Sequence, residues 1–274
     1  MGFEYLTNVP LAQARKEYLE RLVSGGFGSK TETIPVFESC GRVTAKAVYA
    51  HICAPHYAAS AMDGVAVSAK ETFGATETTP VTLKPDQFLV LDTGDPIPED
   101  KDAVIMVEDI VKNGDGSITI HAAAAPWQHI RQIGEDVCAG EMILPSHMTV
   151  SPAAIGAMIA GGVLEIEVIR KPVVGIIPTG DEIIPPCTDP KPGDILEFNG
   201  SIFSAMVRSW GAEAVVYPIV PDKFDQIKEM VAKAADECDM VILNAGSSAG
   251  REDFSARVIR ELGEVLYHGI AIKP

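Results

Sequence analysis

The sequence has little positive charge to set against its acids. Its 22 Lys and Arg against 38 Asp and Glu give a formal net charge of -16 and a pI near 4.7. That sign argues against nonspecific binding to nucleic acid or to an anionic membrane, since such a chain repels phosphates. An anionic substrate would need local help from a divalent cation, a helix N-terminus or a few well-placed Arg and Lys. Cysteine is sparse: Cys40, Cys53, Cys138, Cys187 and Cys238 are odd in number, far apart and never in a C-x-x-C pair, so neither a disulfide framework nor a zinc site is expected. His51, His56, His121, His129, His147 and His268 show no H-x-x-H or H-E-x-x-H spacing, which argues against metal ligation by histidine. The G-x-S-x-G elbow of many hydrolases is missing too. Met-Gly-Phe-Glu-Tyr-Leu at the N-terminus has no basic or apolar signal region, and the longest weakly polar stretch, Ala153 to Leu164, is too short to cross a bilayer. A reducing cytoplasm is the expected compartment.

What is present suits more than one domain: 274 residues, 47% hydrophobic and 22% charged. Leu11, Ala14, Tyr18, Leu19 and Leu22 recur at helical spacing, with Gly25 and Gly26 placed to stop the helix. From about Thr31 to Pro145 the texture is β-rich, with short β-branched runs at Ile34–Phe37, Val81–Leu83, Phe88–Leu91, Ala103–Val107 and Ser117–His121. From Lys171 strand and helix alternate. Strands are expected at Val173–Ile177, Ala214–Pro218 and Met240–Leu243, and helices at Gly200–Trp210, Asp225–Asp236 and Glu252–Leu262. The alternation predicts a three-layer parallel sheet. Ligands of such sheets bind at the carboxyl ends of the strands, here Pro178-Thr179-Gly180-Asp181-Glu182 and Asn244-Ala245-Gly246-Ser247-Ser248-Ala249-Gly250. The chain stops after the strand-like run before Ala271-Ile272-Lys273-Pro274, which reads as a truncation.

Several short segments can carry chemistry, and each also has a plain structural reading. The small residues and hydroxyls of 244–250, leading into Arg251-Glu252-Asp253-Phe254, suit an oxyanion held by backbone N–H groups, or simply a tight strand-to-helix turn. Thr179 to Glu182 suits a cation or a substrate hydroxyl, or else a helix N-cap. Ser60-Ala61-Met62-Asp63-Gly64, Leu91-Asp92-Thr93-Gly94-Asp95 and Gly134-Glu135-Asp136 place carboxylates beside glycine, a pattern also common in structural turns.

Taken in order, these motifs resemble the molybdopterin molybdenumtransferase family, which includes the E domain of gephyrin. Ser60 to Gly64 with Val65-Ala66-Val67 is close to the family's S-A-M-D-G-Y-A-V. Thr93-Gly94-Asp95 through Pro98, Ala103 to Met106 with Glu108, and Ile130-Arg131 with Gly134-Glu135-Asp136 and Gly140 match further family stretches. Pro178 to Glu182, Asn199, Gly246 to Asp253 and Ala271 to Pro274 complete the order. Eight such matches in sequence order are hard to obtain by chance.

The resemblance implies an α/β plus β-rich fold. A helix over 1–26 packs with the α/β part, 27–48 and 138–170 link, 49–137 form an elongated β-rich domain, and 171–274 form an incomplete α/β molybdopterin-binding domain, with a C-terminal β domain absent. It also implies molybdate and adenylylated molybdopterin as substrates, Mg2+ or another divalent cation, an upstream molybdopterin adenylyltransferase, and a homodimer with its active site at the subunit interface. Asp63, Asp136, Asp253 and Glu197 are the implied catalytic and metal-binding acids. Thr93, Arg131, Thr179, Gly180, Asp181, Glu182, Asn199, Gly246, Ser247, Ser248, Gly250 and Lys273 are implied at the substrate. Glu197-Phe198-Asn199 departs from the family's Asp-Ser-Asn or Asp-Thr-Asn, and Ala245 to Gly250 from its G-G-V-S-V-G. A molybdopterin-binding module without complete transferase activity and a scaffolding role are the alternatives.

Overall fold

The computed structural model describes residues 8–245, 254–267 and 269–272. The chain divides into two compact units, one from Thr31 to Val168 and the other from the residues up to Lys30 together with those from Ile169 onward.

In the Thr31–Val168 unit, the strand Gly64–Val67 is buried at every position and sits between Phe88–Leu91 and Ala103–Met106, antiparallel to both. A second sheet, Val81–Leu83, Ile118–Ile120 and Ile110–Lys112, supplies Leu83, Ile118 and Ile120 to the same core as Val65, Val67 and Ile105. Burying one such side chain contributes about 1.5–3 kcal/mol. A separate core gathers Val36, Val48, Val150, Met158, Val163, Ile166 and Val168 around the helix Pro152–Ala160. Sequence periodicity does not single out this helix, although Ser151 caps it by accepting from Ala154 N–H and Pro152 occupies its first turn.

Two expected strands end early for local reasons. Thr31–Pro35 pairs with Glu165–Ile169 and stops at Pro35, which has no N–H for the ladder. A 3-10 turn, Val36–Glu38, follows and leaves Phe37 exposed. Ala103–Met106 gives way to a 3-10 turn at Val107, whose N–H turns to Asp63 O.

In the other unit, Val173–Pro178 is the central strand of a parallel sheet, with Glu213–Val216 on one side and Met240–Asn244 on the other. The helix Asn199–Ser209 connects the first strand to the second, and Phe224–Glu237 connects the second to the third. Right-handed connections running in opposite directions put these helices on opposite faces, giving the three layers that the alternation predicts. Val173–Pro178 is buried from Val174 onward, whereas Glu213–Val216 is largely exposed and Met240–Asn244 only half-buried. Phe224–Glu237 and Phe254–Leu262 pack through Ile227, Ala234, Val258 and Phe254. Leu11–Ser24 buries only Ala14 of its expected apolar face, with Leu11, Tyr18 and Leu19 exposed. Its preceding strand, Asn8–Pro10, pairs in parallel with Gly269–Ala271.

Candidate active site

In the Thr31–Val168 unit the strand Ala59–Ser60 is flanked on both sides. Ile130–Arg131 pairs antiparallel to it, and Ala59 also bridges to Pro96. The turn Asp92–Asp95 is tied to this strand by Ser60 N–H to Asp95 O and Gly94 N–H to Ser60 O, both 2.9 Å. Gly94 has φ +94°, a conformation that favours glycine. Thr93 then donates both its backbone N–H and its hydroxyl to Asp63 Oδ1, each at 2.7 Å. These Thr93 bonds hold the Asp63 carboxyl below its ordinary pKa. Gly64, next in the chain, has no alternative: a Cβ there would lie 2.0 Å from Ile105 O, a backbone atom.

Arg131, opposite Ala59, donates to Asp136 Oδ1 and stands 3.6 Å from Glu135. The hydrogen bond and charge of Asp136, with the charge of Glu135, raise the Arg131 pKa, so Arg131 stays cationic. Asp63, Thr93 and Asp136 thus stand on turns of one set of adjoining strands, with Arg131 on a strand of that set. Tyr57 joins them by donating to Gly94 O at 3.0 Å. Nothing in the sequence pattern singles out Tyr57.

In the other unit, buried Thr179 follows the central strand and donates its N–H (2.9 Å) and hydroxyl (3.2 Å) to Asn244 O, joining two strand ends. No helix starts here. The chain turns at Asp181-Glu182 and enters the short strand Ile183–Ile184, paired with Ile195–Leu196, so the N-cap alternative for Thr179 to Glu182 is overturned. Asp181 Oδ1 accepts from Asp222 N–H at 3.1 Å. Burial first, then the negative charges of Asp181 and Glu182, raise the Asp222 pKa, so this corner favours a cation or a proton. Asp222 is the acid that sequence reasoning missed. Its place after Pro221 gives no signal until the sheet brings Val220 beside Thr179.

Glu197 caps the helix Asn199–Ser209, accepting from Gly200 N–H through Oε1 at 2.6 Å. A Cβ on Gly200 would come within 2.9 Å of Glu197 Oε2, so the glycine makes room for the cap. Gly180, Asp181, Glu197 and Tyr217 line a cleft of about 550 Å³ beside Pro178 and Pro221.

Gly246, Ser247, Ser248, Gly250, Asp253 and Lys273 lie outside the described residues. Among the described residues, no group of three or more His, Cys, Asp or Glu side chains is placed to hold a metal ion, and no helix is long and apolar enough to cross a membrane.

Residues 9–162 match the family model described as the MoeA N-terminal region (domain I and II), and residues 175–274 match a probable molybdopterin binding domain. The chain is 32% identical to the molybdopterin molybdenumtransferase of Haemophilus influenzae over 96% of its own length and 67% of that protein. It is 35% identical to molybdopterin molybdenumtransferase 2 of Mycobacterium tuberculosis over 80% of its length and 58% of that protein. The crystal structure of the molybdopterin biosynthesis moeA protein of Pyrococcus horikoshii superposes with a TM-score of 0.81 at 31% identity, covering 98% of this chain and 70% of that one.

Proposed function

From the premise that the chain belongs to the molybdopterin molybdenumtransferase (MoeA) family, we propose that it takes adenylylated molybdopterin and molybdate, releases AMP and leaves molybdenum on the dithiolene. It is a transferase of molybdenum cofactor biosynthesis, and insertion of molybdenum into molybdopterin is its reaction. The observation that carries the finer reading is the Asp63 carboxylate, fixed by two Thr93 donors on a turn that adjoins the Arg131–Asp136 pair.

In this reading Asp63, Asp136, Asp253 and Glu197 hold a divalent cation such as magnesium or place molybdate. An all-carboxylate donor set suits a hard, oxygen-seeking ion. When bound, the cation supplies positive charge that offsets the anionic substrates. Thr93 positions Asp63. Gly246, Ser247, Ser248 and Gly250 bind the pterin or its phosphate, and Thr179, Gly180, Asp181, Glu182 and Asn199 line the pocket. Arg131 and Lys273 offset anionic charge. The active form is a cytoplasmic homodimer, supplied by an upstream adenylyltransferase. The reading keeps the division into an N-terminal helix over 1–26, a β-rich domain over 49–137, a linking region over 27–48 and 138–170, and an α/β domain from 171; the separate cores around Val65, Met158 and Ile227 support it.

The test is AMP release from adenylylated molybdopterin by the purified chain with magnesium, with and without molybdate. Molybdate-dependent release is expected. Asp63→Ala is expected to lower that release at least about 100-fold while the unfolding transition stays in place. Undiminished release by this variant would remove Asp63 from the reaction.

A further inference from the structure

The five cysteines are free thiols, yet the fold brings two of them together. Ala54 and Val137 form an antiparallel bridge, with Ala54 N–H to Val137 O at 2.8 Å and Val137 N–H to Ala54 O at 3.2 Å. Cys53 and Cys138 flank this isolated bridge on the same side. The Ala54–Val137 bridge exchanges both hydrogen bonds, and in a regular antiparallel pair the adjoining non-hydrogen-bonded position holds facing Cα atoms about 4.5 Å apart. That spacing falls at the near end of the range a disulfide spans.

The side chains agree with the backbone. A Cβ built on Gly134 would lie 2.8 Å from Cys138 Sγ and 3.6 Å from Cys53 Sγ, so both sulfurs crowd one point over a residue with no side chain. Cys53 Sγ accepts the N–H of Ala139, the residue after Cys138, at 3.4 Å, while the Cys138 thiol donates to Gly134 O at 3.4 Å. Cys138 is exposed and Cys53 half-buried.

We propose that Cys53 and Cys138 form a reversible redox pair that closes to a disulfide by exchange with a small-molecule disulfide such as glutathione disulfide. The exposed Cys138 thiolate attacks one sulfur of the oxidant, forming a mixed disulfide and releasing one glutathione thiolate. The Cys53 thiolate then attacks the Cys138 sulfur and displaces the second glutathione thiolate. Two protein thiols are oxidised, one glutathione disulfide is reduced to two thiols, and the two protons lost by the protein thiols end on the two released glutathione thiolates. The bond closes beside the turn that carries Asp136, two residues before Cys138.

The test is to incubate the reduced chain with glutathione disulfide, trap the remaining thiols by alkylation and map the peptides by mass spectrometry. The expected result is loss of two alkylatable thiols, a Cys53–Cys138 cross-linked peptide and full reversal by dithiothreitol. Cys53→Ser is expected to retain a glutathione adduct on Cys138, because the resolving thiol is gone, with a melting transition like that of the reduced parent. Five alkylatable thiols after incubation, a parent chain that stops at the glutathione adduct, or cross-links among other cysteines would each overturn the proposal. The readout is chemical and does not depend on the transferase reading.

Discussion

The two units hold their acids by different means. In the Thr31–Val168 unit, Asp63 and Asp136 are each bonded to a neighbouring side chain, Thr93 on a turn and Arg131 on a strand, and a neighbouring glycine has no room for a Cβ: Gly64 against Ile105 O, and Gly134 against the Cys138 sulfur. In the α/β unit, Asp181 and Glu197 receive backbone N–H groups at points fixed by sheet topology and by a helix start. The first arrangement fixes a carboxylate through dense local contact, and the second through where strands and helices end. Substitutions that add bulk should therefore damage the first more than the second.

Gly64→Ala is the strongest way to break the contrast. Its Cβ meets backbone 2.0 Å away in a buried strand paired on both sides, and relief requires the strand pairing to open. The expected cost is about 3 kcal/mol or more, measured by urea unfolding. Gly180→Ala meets Ile183 Cγ1 at 2.6 Å, a side-chain and not a backbone atom, and carries φ +146°, so it is strained but relieved without opening a strand pair, at about 1–2 kcal/mol. Equal costs at the two positions would erase the distinction.

Asp239 is the exception inside the α/β unit, a carboxylate held as densely as those of the other unit. It accepts from Lys30 Nζ and Val173 N–H, each at 2.9 Å, and from Arg170. Burial raises its pKa, but the Val173, Lys30 and Arg170 donors outweigh that and bring it down to about 2. The folded value lies below the unfolded one of about 3.9, so the stabilisation is complete above that value and is lost as pH falls toward 2. Asp239→Asn is expected to cost about 1.5–3 kcal/mol at neutral pH and to flatten the acid limb of the unfolding profile. Parent and variant profiles that stay parallel down to pH 2 would show that the charge contributes nothing.

Much of the α/β fold is legible in the sequence because its elements are long enough to show a period. Val173 to Ile177, Ile227 to Ala234 and Met240 to Leu243 lie in the elements expected, within a residue or two at their ends. The β-rich unit is less legible, because its site is built on two-residue strands such as Ala59–Ser60 and Ile130–Arg131, too short for alternation to register. The acids themselves were visible beside glycine. Their partners were not: Thr93 reaches Asp63 across thirty residues, and Tyr57 reaches Gly94 across 37. Cys53 and Cys138, far apart in sequence, meet only once the Ala54–Val137 bridge forms.

Glu197 separates capping from ligation. Glu197→Ala removes the acceptor for Gly200 N–H and is expected to cost about 1 kcal/mol. Glu197→Gln keeps a neutral acceptor and so most of the stability, but a carboxylate ligand of the cation would be lost. A magnesium titration of AMP release unchanged in the Gln variant would make Glu197 a cap alone.

The smallest effect sets the scale for the largest. Gly156 lies exposed in the helix Pro152–Ala160, with nothing within 4 Å of a built Cβ. Alanine there removes unfolded-state freedom and improves helix propensity without a clash, so Gly156→Ala is expected to stabilise by about 0.5–1 kcal/mol in the same urea experiment. The substitution is chemically identical to Gly64→Ala and lies in the same unit, yet its expected sign is opposite. What requires glycine at position 64 is therefore the approach of Ile105 O and not any general need of this unit for small residues. A loss of stability at Gly156 comparable to that at Gly64 would defeat that reasoning, because it would show the unit to be intolerant of any added methyl.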